Sequence, residues 1–194
     1  MLSIIRTCIQ ATEGNPIKIL FFDTESTDLK AMMGRILCAS FCELKGKPYT
    51  FRQEDYQVDG DPVDDSMLVA AIRDELETAN LIVGWNSKLH DIPLLNARLA
   101  KGHFRPYQPR NFHLDLMWYA GGSSMKIGSK KLDNVAKFFK LPNQKTTLDW
   151  DTWQRAGAGD KKALDYVANH CEADVKVLRE AYHHLLPYVK NLHR

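Results

Sequence analysis

Charge of one sign is what this sequence lacks first. It carries 26 Lys plus Arg against 24 Asp plus Glu, a net charge of +2. It is therefore no polycation, and a positive field for nucleic acid must be local. Cysteine is also scarce: Cys8, Cys38, Cys42 and Cys171 form no C-x-x-C pair and no Cys/His cluster at zinc-finger spacing. Such scattered thiols argue against a disulfide framework and fit a reducing cytosol. No apolar run approaches the roughly 18 residues of a membrane span. The opening MLSIIRTCIQATEG lacks a basic leader and an adequate apolar core for a signal peptide. The expectation is a soluble, cytoplasmic protein without a membrane partner. There is no internal repeat, no low-complexity segment and no G-x-x-x-x-G-K-[ST] loop, which excludes an ordinary P-loop ATPase.

What is present is ordinary globular composition, with 44% apolar and 26% charged residues in 194. That length predicts a single domain over residues 1–194, with a core large enough to need no staples. Ile17–Phe22, after the turn residues Gly14-Asn15-Pro16, reads as a buried strand ending at Asp23. Arg35–Glu43 and Lys47–Arg52 read as a hairpin around Gly46. Asp55–Asp65, with Gly60 and Pro62, reads as a loop. A helix over Ser66–Ala79, capped by Asp65, follows from Leu68, Val69, Ile72 and Leu76. Leu81–Gly84 is a short strand and Asp91–Leu99 a helix with Pro93 in its first turn. Phe112–Tyr119 is ambiguous between strand and helix, and Gly121–Lys131 is a basic loop. Leu132–Leu141 is helical. Asp160–Pro187 is the longest helical stretch, with a break expected near Asn169. Strands first and alternation later predict a mixed α/β fold around one sheet.

Three acidic segments carry the chemistry. Asp23-Thr24-Glu25 puts two carboxylates at i, i+2, on one side of an extended chain at the end of a buried strand. Two buried negative charges are costly unless a cation neutralises them, and oxygen ligands favour Mg²⁺ or Mn²⁺. D-x-E is short, and a solvated strand end accounts for it equally well. Asp91 begins a helix, so it reads either as an N-cap or as a ligand with a free oxygen. Asp174 lies on the final helix among Asp165 and Glu172, and composition does not select one of the three. His170 is one turn before Asp174 on the same face. That position suits a base or ligand, although a lone histidine is more often structural.

FFDTE (Phe21–Glu25), GWNSKLHD (Gly84–Asp91) and HCEADV (His170–Val175), in that order, resemble the DEDD superfamily of 3′–5′ exonucleases, which are ribonuclease H-like. Weaker similarities are GRILCASF (Gly34–Phe41), HLDLMWYA (His113–Ala120) and KKLDNVAKFFKLP (Lys130–Pro142), so the resemblance spans about residues 17–186. His170-x-x-x-Asp174 departs from the pattern: it has the spacing of the tyrosine subgroup with histidine in place. Tyr166 fits neither subgroup, and His90 stands where an aromatic is frequent.

The resemblance implies a ribonuclease H-like α/β fold, a mixed sheet of about five strands flanked by helices. It implies two Mg²⁺ or Mn²⁺ ions on Asp23, Glu25, Asp91 and Asp174, with Asp23 bridging both. His170 would deprotonate or orient the attacking water. Ser26 and Thr27 would lie near the 3′-terminal nucleotide. The activity implied is 3′–5′ exonuclease, on DNA rather than RNA, with a polymerase or repair partner in view. Trp85, beside Asn86, is a candidate for base stacking. Lys130 and Lys131, with Lys126, Lys137, Lys140 and Lys145, are candidates for phosphate contact. A core role for Trp85 and a solvated lysine face serve equally well. The rival functions are an endonuclease or ribonuclease of the same fold, an inactive nucleic-acid-binding module, and a metal-dependent nucleotide hydrolase.

Overall fold

The computed structural model describes residues 17–57, 61, 63–108, 111–122, 125–143, 146–190 and 192. Expectations resting on the N-terminal segment, Cys8, the Gly14-Asn15-Pro16 turn, Gly60, Pro62, Ser123, Ser124 and Lys145 lie outside the described residues.

The short apolar runs become strands. They are β1 (Ile19–Ser26), β2 (Ile36–Glu43), β3 (Tyr49–Arg52), β4 (Leu81–Gly84) and β5 (Phe112–Asp115). The sheet order is β3-β2-β1-β4-β5. β1–β2 and β2–β3 are antiparallel, whereas β1–β4 and β4–β5 are parallel. This is the expected mixed five-stranded sheet. One boundary is corrected: Asp23-Thr24-Glu25 lies inside β1, not after it. The partner β2 extends the strand, pairing Asp23 with Ser40, Thr24 with Ala39 and Glu25 with Cys38, so these backbone groups have ladder partners.

The helices are α1 (Ser66–Glu77), α2 (Asp91–Lys101), α3 (Met117–Ala120), α4 (Leu132–Phe139), α5 (Trp150–Gly157) and α6 (Lys161–Leu185). α1 and α2 pack with Leu20, Phe22 and Ile82 on one face of the sheet. α4 and the C-terminal half of α6 pack with Phe21, Val83 and Leu114 on the other. The first half of α6, with α5, covers Leu37 and Cys38. Each fully buried phenylalanine of β1 contributes about 1.5–3 kcal/mol relative to exposure.

Several local expectations change. Phe112–Tyr119 is both a strand and a helical turn. α6 runs unbroken through Asn169, because Val167, Cys171 and Val175 hold it to the sheet on either side. Its start is capped by Asp160, which accepts from the Ala163 amide at 2.9 Å. α5 is not foreseen from the apolar pattern; Asp149 caps it by accepting from the Thr152 amide. Asp65 does not cap α1. Its carboxylate accepts from the Ile36 amide and is clasped by Arg98 at 2.5 Å. Among the described residues, no helix is long and apolar enough to cross a membrane.

Candidate active site

β1 outruns its parallel neighbour. It pairs with β4 only as far as Phe21 opposite Val83, but with β2 as far as Ser26 opposite Ile36. Asp23 and Glu25 therefore stand beyond the carboxyl ends of the parallel strands, where open α/β sheets form ligand crevices. A cleft of about 900 Å³ opens there. Asp23, Glu25, His170 and Asp174 all line it.

Strand alternation sends Asp23 and Glu25 to the α6 side, in line with Phe21. α6 supplies His170 and Asp174 one turn apart, 7% and 3% exposed. His170 Nε2 lies 3.7 Å from Glu25 Oε1 and 3.9 Å from Asp174 Oδ2. One ligand atom from each of the three falls within 4.8 Å of the others. On the far side of the ring, His170 Nδ1 is 2.5 Å from the Thr146 hydroxyl. The Cys171 thiol donates to the Asp23 main-chain oxygen at 3.3 Å, tying α6 to the strand that carries Asp23. The rival acids on α6 are engaged elsewhere: Asp165 pairs with Arg52 at 2.5 Å, and Glu172 with Lys176 at 2.8 Å.

Asp91 arrives from the other side. His90, not Asp91, occupies the N-cap position of α2, and its side chain makes no cap bond. Asp91 instead accepts a 2.5 Å hydrogen bond from the Thr24 hydroxyl, between Asp23 and Glu25 in sequence. Burial pushes the Asp91 carboxyl above the usual carboxylate range, while the Thr24 bond and His90 oppose that shift. Asp91 is 4% exposed and sits behind Thr24, whereas Thr24 and His90 line the cleft.

The turn into α2 is braced from β5. Asn86 adopts φ 61°, a left-handed conformation that asparagine tolerates. Asp115 accepts from the amides of Asn86 at 2.9 Å, Lys88 at 3.1 Å and Met117 at 3.2 Å. Burial pushes its carboxyl up, and these amides pull it down. Beneath the turn, Ser87 and His113 hydrogen-bond at 2.9 Å. Burial drives the His113 imidazole down to about 3, so this ring is neutral at physiological pH.

The predicted substrate contacts divide. Ser26, Trp85, Asn86, Lys130 and Lys131 line the cleft. Trp85 is both wall and core: it donates to the Lys130 carbonyl at 2.9 Å and packs on the apolar cluster below. Thr27 turns into the hairpin, where its hydroxyl accepts from the Arg35 amide at 3.1 Å. Lys137 is on the wall, paired with Asp133 at 2.6 Å. Sequence reasoning misses Thr146, Leu148 and Trp153 on the opposite wall, and the brace by Asp115. Capping chemistry at Asp149 was the one available signal for the helix bearing Trp153. A smaller cleft, about 360 Å³, mixes Arg35 and Lys161 with Glu54 and Asp55, and holds none of the candidates.

A family model described as RNase H superfamily matches residues 20–186. Among solved structures, the chain is similar to a family B DNA polymerase from the hyperthermophilic archaeon Pyrobaculum calidifontis, with a TM-score of 0.72 and 18% identity. The likeness covers 89% of this chain and 25% of the polymerase, so this chain spans about a quarter of that protein. At that identity the likeness is one of fold. No curated protein matches.

Proposed function

The chain belongs to the RNase H superfamily, and from that premise we propose that it is a metal-dependent 3′–5′ exonuclease acting on DNA. The gathering of Glu25, His170 and Asp174 within 4.8 Å, at the cleft where Asp23 also stands, is the observation that carries the reading. The donor chemistry fits hard divalent ions: carboxylate oxygens with one imidazole nitrogen beside them. Asp23, Glu25, Asp91 and Asp174 would hold two Mg²⁺ or Mn²⁺. Ions bound there supply charge stabilisation for the attacking and departing oxygens of an in-line displacement.

The chain's own groups do the rest. His170 Nε2 accepts a proton from water as its oxygen attacks phosphorus. The bond from phosphorus to the 3′-oxygen breaks, and that oxygen takes a proton from solvent. A nucleoside 5′-monophosphate leaves. Trp85 and Asn86 seat the terminal nucleotide, Ser26 lies beside it, and Lys130 and Lys131, next to Trp85, contact phosphate. That the protein sharing this fold is a DNA polymerase supports DNA as the substrate, and a polymerase or repair partner. Free buried thiols at Cys38, Cys42 and Cys171 support a reducing compartment such as the cytoplasm.

The deciding experiment compares 3′- and 5′-labelled oligonucleotides, DNA and RNA, with and without Mn²⁺. Mononucleotide release from the 3′ end, with circular single strands left intact, is the outcome expected. Cutting of circles would favour the endonuclease reading, and binding without hydrolysis in Mn²⁺ would favour an inactive module.

A further inference from the structure

The turn that follows Trp85 and Asn86 is pinned twice from one strand. His113 and Asp115 are two apart on β5 and so share a side. His113 Nε2 meets the Ser87 hydroxyl at 2.9 Å, and Asp115 takes the amides on either side of Ser87. β4 leaves room for this turn. A Cβ on Gly84 would lie 2.1 Å from the Ser87 hydroxyl oxygen, so a side chain there would displace Ser87. The Leu116 amide closes the other end, donating to the Gly84 carbonyl at 3.0 Å.

Both oxygens of Asp115 are engaged. Oδ1 accepts from the Asn86 amide at 2.9 Å and from Met117 at 3.2 Å, and Oδ2 accepts from Lys88 at 3.1 Å. A carboxylate can serve all three donors. A carboxamide cannot, because its NH₂ would face one of the amides. At 4% exposure, water does not replace the lost bond. Asn86 stands above this brace at φ 61° and lines the cleft beside Trp85.

We propose that Asp115 is a positioning residue that holds Asn86 in its left-handed conformation and so shapes the seat of the terminal nucleotide. That a nucleotide occupies the seat rests on the exonuclease reading. Asp115 is buried behind the cleft wall, so it acts through the turn and not on substrate. A seat that grips the nucleotide equally before and during reaction affects KM more than kcat.

The test is a double-mutant cycle of Asp115→Asn and Asn86→Gly. Glycine adopts a positive φ without strain, so Asn86→Gly removes the side chain and keeps the turn. Digestion of a 3′-labelled single strand in Mg²⁺ gives kcat and KM. Fluorescence anisotropy of a 5′-labelled oligothymidylate in Ca²⁺ gives Kd independently of hydrolysis. Each single variant should raise KM and Kd about tenfold and change kcat less than about threefold. With Asn86 already truncated, Asp115→Asn should add less than about twofold, because its effect passes through that side chain. Losses that simply multiply overturn the proposal, as does a fall in kcat with KM and Kd kept, or an Asn86→Gly chain that binds like wild type. If Asp115→Asn does not fold, Asp115→Ser, which keeps one acceptor oxygen, takes its place in the cycle; failure of both to fold makes Asp115 a stabilising brace only and overturns the proposal. If wild type binds the strand but releases no nucleotide, the exonuclease reading fails and the Kd cycle alone decides the role of Asp115. A wild type that does not bind the strand overturns both.

Discussion

Asp65 and Asp91 sit at the starts of α1 and α2, on the same face of the sheet, and both are buried. Asp65 is clasped by Arg98, which also donates to the Ala31 carbonyl. Asp91 has the hydroxyl of Thr24. A guanidinium neutralises its acid permanently; a hydroxyl leaves the negative charge in place. The first arrangement is architecture, joining α2 to the residue before α1 and to the edge of β2. The second holds a buried carboxyl against the hydroxyl of Thr24, the residue between Asp23 and Glu25, at the end of the sheet where the cleft opens. Residue type and burial are shared, so the partner is what tells the two acids apart.

Replacing each acid in turn should separate the two roles. Asp91→Asn should lower nuclease turnover about 10⁴-fold, equivalent to about 5.5 kcal/mol, measured on a 3′-labelled strand. In metal-free buffer at neutral pH its stability should hold or rise. The raised pKa means the folded state disfavours ionised Asp91, and the amide removes that penalty. Urea unfolding checks this, and a large loss of stability would make Asp91 a second Asp65. Arg98→Met is the mirror experiment. Leaving Asp65 buried without its cation should cost about 4 kcal/mol in the same unfolding assay.

Acid provides a third contrast. His113 is depressed to about 3, so the unfolded chain binds this proton more readily than the folded one between about pH 6.5 and 3. Its contribution makes stability full above that window and lowers it as pH falls through it, by a few kcal/mol at most. A His113→Asn variant should show a shallower acid loss when unfolding is followed from pH 7 to 4. The smallest effect belongs to Thr24→Val. Removing its hydroxyl should change stability by about 1 kcal/mol, and push the Asp91 carboxyl further up, visible by NMR titration of the metal-free protein.

The same contrast explains how much was legible in advance. Glu25 and Asp23 share a side because they are two apart on a strand, and His170 and Asp174 share one because they are four apart on a helix. Those periods are written in the sequence, and the sheet class follows from the order of apolar runs. Asp91 was not separable from a cap, because that distinction is made by Thr24, 67 residues away. Nor could Asp65 be seen as the partner of Arg98, 33 residues on. Thr146 left no local signal, since the histidine it meets is 24 residues away. α5 was missed because Ala156 is its one fully buried residue, too little for an apolar stripe.

The sulfur contact beneath the cleft has a practical consequence. Cys171 and Cys38 lie sealed between α6 and β2, with Cys171 bonded to the backbone of Asp23. An alkylating reagent can reach either thiol only when the long helix lifts from the sheet. The rate of their modification is therefore a built-in clock for separation of the helix that carries His170 from the sheet that carries Glu25.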